Sequence, residues 1–102
     1  MRWYHYVAYF FGGVALANSL PHLGNGISGH AFPTPFPPKG TLSSPTVNVL
    51  WGFLHLAIGY VLVCRVGGFN LRRSRHALVL GAGILTMSVY LASVFGATPG
   101  GR

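Results

Sequence analysis

The chain contains no aspartate and no glutamate: its 102 residues include seven Lys or Arg and no acidic side chain. Soluble domains carry about 25% charged residues of both signs. A chain without acids builds no internal ion pair between side chains, no carboxylate acid–base pair and no acidic metal ligand. A single cysteine, Cys64, excludes an internal disulfide and reads as a small buried thiol near the end of an apolar run. Gly12-Gly13 and Gly67-Gly68 lack the pattern of a dinucleotide or phosphate loop, and no nucleophile stands beside a base. A secondary transporter usually shows an acid within the membrane or an internal repeat, and neither occurs. These absences argue against an enzyme.

What remains is oil. Hydrophobic residues make up 51% of the chain. The bases lie at the ends of apolar runs, not in a stripe among polar residues, so they suit anionic lipid rather than nucleic acid. About 20 apolar residues cross a bilayer, and three segments meet that length: 3–20, 47–66 and 77–96. Arg2 and Ala15-Leu16-Ala17 resemble parts of a signal peptide. Trp3, Tyr4 and Tyr6 instead suit a helix end at the membrane interface, so the first segment reads as a retained span. The expected fold is all-α, one membrane domain of three transmembrane helices. Arg2, Arg65, Arg72, Arg73 and Arg75 fall on one side, against Lys39 and Arg102 on the other. The positive-inside rule then places the N-terminus in the cytoplasm and the C-terminus outside. The short loop 67–76 is cytoplasmic, with Arg65, Arg72, Arg73 and Arg75 on anionic lipid.

The loop 21–46 becomes a Pro/Gly-rich extracytoplasmic cap. Pro21 is expected to end the first helix. Phe32-Pro33-Thr34-Pro35-Phe36-Pro37-Pro38 favours polyproline II, whose unbonded backbone cannot face lipid. The prolines have already lost much of the entropy that ordering costs. An ordered cap is therefore expected, with Phe32 and Phe36 turned to the bilayer or a partner. His22 and His30 are further candidate partner contacts there. Ser44 as N-cap and Pro45 at the first helical position mark the second helix.

Chemistry, if any, rests on histidine. His55 lies near the middle of the second span and His22 at the outer end of the first, so a haem held by two histidines of this chain is not expected. His55 shares a helical face with Asn48, Trp51, Gly52 and Gly59, which reads as a helix–helix contact, with Asn18 playing the same part on the first span. Ser88, Ala92 and Gly96 repeat at the four-residue spacing that lets helices approach, as do Ala8–Gly12, Gly13–Ala17 and Ala77–Gly81.

Asn18-Ser19-Leu20-Pro21-His22, Phe32-Pro33-Thr34-Pro35-Phe36, Leu42-Ser43-Ser44-Pro45, and Asn48 with Trp51-Gly52 resemble a group of small multi-pass bacterial membrane proteins of unknown function. The resemblance covers about the first sixty residues and implies a bacterial inner membrane and no activity. The expected role is a non-catalytic accessory subunit of a larger membrane complex, photosynthetic, respiratory or transporting. Its partners would be lipids and other integral membrane proteins, with no nucleic acid and no soluble substrate. No intrinsic cofactor or metal is expected, although a partner could hold a pigment or quinone nearby. Two alternatives stay open: a self-assembling transporter or channel with His55 lining the path, and a redox subunit contacting a quinone or pigment.

Overall fold

In the computed structural model, which describes residues 2–38 and 41–97, the chain forms three helices. These are α1 (Trp3–Ile27), α2 (Pro45–Cys64) and α3 (Ser74–Ala97). Lys39 and Arg102, used above to orient the chain, lie outside the described residues. Helices α2 and α3 are long and apolar enough to cross a membrane. Helix α1 is longer than either but carries Asn18, Ser19, His22 and Asn25 among its apolar residues.

Pro21 does not end α1, contrary to expectation; it sits inside the helix, and the loop begins several residues later than position 21. A proline there removes one backbone N–H. The Asn25 side chain donates to the Pro21 carbonyl (2.8 Å) and Ser19 Oγ to the Leu16 carbonyl (2.6 Å), which supplements the local bonding. Side chains and neighbouring helices commonly make an interior proline tolerable in this way. The helix stops instead before Gly29, whose φ of 78° is open to glycine and strained for other residues. There the His30 N–H reaches the Asn25 carbonyl (2.8 Å) and the Gly29 N–H the Gly26 carbonyl (3.1 Å). That pair of bonds is the Schellman termination.

Helix α1 is the middle element. It packs against both α2 and α3, which barely touch each other. Glycines set the close approaches. A Cβ on Gly12 would meet Val63 at 2.5 Å, and one on Gly59 would meet Leu16 at 2.6 Å. On the opposite side, a Cβ on Gly83 would collide with the Phe10 carbonyl, and one on Gly13 with the Leu80 carbonyl. The small residues Ala8, Gly12, Gly13 and Ala17 are thus consumed inside the bundle. Gly81 and Gly96 of α3 have open space where a side chain would stand.

Helix α2 begins as the sequence predicts: Ser44 Oγ accepts from the Val47 N–H (3.2 Å) and Pro45 opens the helix. It ends at Cys64, which is exposed rather than buried. The buried face of α2 runs through Gly52, Gly59 and Val63, and a residue one step past Val63 turns away from it. Gly67, in the connection to α3, lies so close to α1 that a Cβ would meet His5 and the Tyr9 hydroxyl at 2.8 Å.

Candidate functional site

The densest polar arrangement lies where the C-terminal part of α1 meets the start of α2. Asn48, fully buried, organises it. Its Nδ2 faces the carbonyls of Phe32 (3.0 Å), Ser43 (3.1 Å) and Ser44 (3.1 Å). Because the amide nitrogen must donate to those carbonyls, Oδ1 is the acceptor facing His22 Nδ1 at 2.7 Å. His22 therefore carries its proton on Nδ1 and leaves Nε2 as a lone pair. One side chain thus joins α1, α2 and the Pro-rich loop.

The loop is held on both sides of this point. Phe32 and Ser43 exchange backbone bonds of 3.2 and 3.0 Å, and the Thr34 and Ser43 hydroxyls are hydrogen-bonded. Contrary to expectation, Phe32 turns inward. Its ring lies 5.5 Å from His22 and 4.8 Å from Phe95 of α3. Phe32 is half-buried there, between the two rings, and backbone bonding holds its segment in place. Phe36 is exposed, with its ring 4.8 Å from Trp51.

His55 is half-buried beside this network. Its Nδ1 faces the Trp51 carbonyl at 2.9 Å, so it also donates from Nδ1. Its ring lies 4.6 Å from Trp51 and stacks on His22 at 6.4 Å, with the planes 26° apart. The sequence alone offers His55 no neighbouring histidine; the continuation of α1 through Pro21 brings His22 beside it. The rings Phe36, Trp51, His55, His22, Phe32 and Phe95 consequently form an unbroken series across all three helices. Among the described residues, no three His, Cys or acidic side chains gather as a possible metal group.

The other expected site residues separate into two groups. Gly52 and Gly59 are buried against α1, where a Cβ would meet Leu23 at 2.8 Å and Leu16 at 2.6 Å, respectively. Asn18 is half-buried. Ser88, Ala92 and Gly96 are exposed on α3 and border a shallow groove with Ala17, Leu20 and Pro21. His30 is exposed just past α1, and Arg65, Arg72, Arg73 and Arg75 are exposed around the second connection.

Sequence reasoning missed the contacts of Tyr6, Tyr9, Phe69 and His76. His76 is 1% exposed, and its Nδ1 accepts from the Asn70 N–H (2.9 Å). Around it stand Tyr9 at 5.2 Å, Phe69 at 5.7 Å and Tyr6 at 5.8 Å. The available signal was a histidine at the start of an apolar run, facing aromatics at the start of another. Compared with known proteins, the chain matches no family model, and no curated protein or solved structure gives a significant match.

Proposed function

We propose that the chain is a three-span protein of the bacterial inner membrane and a non-catalytic accessory subunit of a larger membrane complex. In this reading α1 crosses the bilayer with α2 and α3, its polar side chains shielded by its neighbours. The N-terminus and the Arg72–Arg75 turn face the cytoplasm, and the Pro-rich loop caps the outer end. The observation that carries the subunit role is the open face of α3. Ser88, Ala92 and Gly96 follow one another at four-residue spacing, exposed, beside a groove bordered by Ala17 and Pro21. Lipid tails gain little from such a face, whereas a partner helix can approach it closely.

Purification in mild detergent, with mass spectrometry of every retained chain, tests this. Other membrane proteins at fixed stoichiometry are the expected result, and Ala92→Leu should reduce their retention while leaving the fold intact. A colourless monomer running alone would sink the subunit role.

The His22–His55 stack favours a second reading, a subunit contacting a quinone or pigment held by the partner. Each ring donates from Nδ1 and keeps Nε2 as an acceptor. An absorption spectrum and solvent extraction of the same purified sample distinguish it: a retained chromophore lost in His55→Ala supports it, and a complex without one removes it.

A further inference from the structure

At the end of the bundle away from Asn48, the structure holds an open pocket of about 630 Å³ lined by Tyr6, Arg73, Ser74, Arg75 and His76. Its volume is within the range of small-ligand sites. Two arginines line it, and the sequence has no Asp or Glu to neutralise them. Their counter-charge must come from outside the chain.

Three other features of the pocket favour the same kind of ligand. A bond from the Ala77 N–H to the Arg73 carbonyl (3.0 Å) opens α3. The N–H groups of Ser74, Arg75 and His76 therefore form the open first turn, where the helix dipole favours an anion. His76 is 1% exposed and spends Nδ1 on the Asn70 N–H. Because Nδ1 accepts that bond, the ring proton is on Nε2, and His76 lines the pocket. The Ser74 hydroxyl adds another donor. Arg72, one residue away, does not line the pocket.

We infer that this pocket binds a phosphate group, clasped by Arg73 and Arg75 over the first turn of α3. A guanidinium presents paired N–H donors that match phosphate oxygens. Two sources fit this chemistry: the headgroup of an anionic phospholipid and a free phosphate. The lipid source rests on the membrane reading above; the phosphate chemistry does not.

The test is native mass spectrometry of the intact chain in a neutral detergent. It is titrated separately with phosphatidylglycerol, phosphatidylcholine and inorganic phosphate. Phosphatidylglycerol is expected to bind more tightly than phosphatidylcholine. Arg73→Gln and Arg75→Gln should each weaken it about fivefold, and Arg72→Gln should leave it nearly unchanged. Circular dichroism of each variant establishes that the helices persist. Inorganic phosphate that binds and displaces the lipid makes the free ion a ligand of the site; inorganic phosphate that does neither assigns the site to lipid. Equal losses in all three arginine variants would overturn the pocket in favour of diffuse attraction, as would no preference for either anion over phosphatidylcholine. Failure here with partner chains still co-purifying rejects the pocket alone; loss of partners with anion binding intact rejects the subunit role alone.

Discussion

The two ends of the bundle solve the problem of buried polarity in opposite ways. At the end containing Asn48, one buried amide meets three carbonyls and an imidazole, and the loop is tied down by a two-way backbone bridge. At the other end, His76 is wrapped in aromatic rings, while His5 Nδ1 is buried with no hydrogen-bond partner among the described residues. Arginines there border an open pocket. The first end is closed by its own bonds; the second leaves two arginines beside a pocket, the ligand site proposed above. Closure suits a structural lock, and arginines beside a pocket suit a ligand site.

The largest expected effect breaks the closed end. Asn48→Ala would strand the His22 N–H and remove the side-chain donor from three carbonyls that each keep one backbone bond, so a loss of about 2–4 kcal/mol is expected from one stranded buried donor and the lost bonds. Thermal unfolding in detergent reads it, and a change under about 1 kcal/mol would show that water replaces the amide. Phe69→Ala at the other end removes a half-buried ring packed 5.0 Å from Tyr9 and 5.7 Å from His76. Its cost should be smaller, about 1–3 kcal/mol, below that of a fully buried phenylalanine. If Phe69→Ala proves the costlier of the two, the aromatic end is the true lock.

Replacing an imidazole at each end sharpens the contrast. His22→Leu would leave the Asn48 Oδ1 without its donor and should cost about 1–2 kcal/mol. His5→Leu removes a buried nitrogen that has no hydrogen-bond partner among the described residues, so stability should move by less than about 1 kcal/mol in either direction. Equal costs in the same detergent melts would mean that the two ends do not differ in how they use their polar atoms. The smallest expected effect is a gain. Gly24 is exposed in α1 with nothing near its missing Cβ, so Gly24→Ala should stabilise by about 0.5–1 kcal/mol. Gly26→Ala, two residues on, would drive a Cβ to 2.7 Å from the Pro45 carbonyl and should destabilise instead. Chemical denaturation of both variants checks the pair.

Much of this architecture was legible in the residues. The apolar runs of α2 and α3 announced themselves by length, and Ser44-Pro45 marked a helix start through ordinary capping chemistry. Pro21 misled because a proline's local cost was weighed without the side-chain and tertiary bonds around it. The true stop, Gly29, needed the φ angle that only the folded chain reveals. The Asn48 hub was half visible: His22 and Asn48 lie near the same end of two antiparallel helices, but their contact depends on how far α1 runs. The loop's inward Phe32 was not legible, since a phenylalanine between prolines carries no sign of direction. Nor was the pocket, because Tyr6 and Arg73–His76 become neighbours only when the helices pack.

The placement of α1 between two helices that scarcely meet has a consequence for biogenesis. Of the three helices, the one synthesised first is the one richest in amides, imidazoles and glycines, and its shielding arrives later in translation. The nascent protein must therefore hold an unfinished hub until each flank docks. The two flanks dock on opposite sides of α1, so the order of their arrival is dictated by the ribosome and not by the contacts they make.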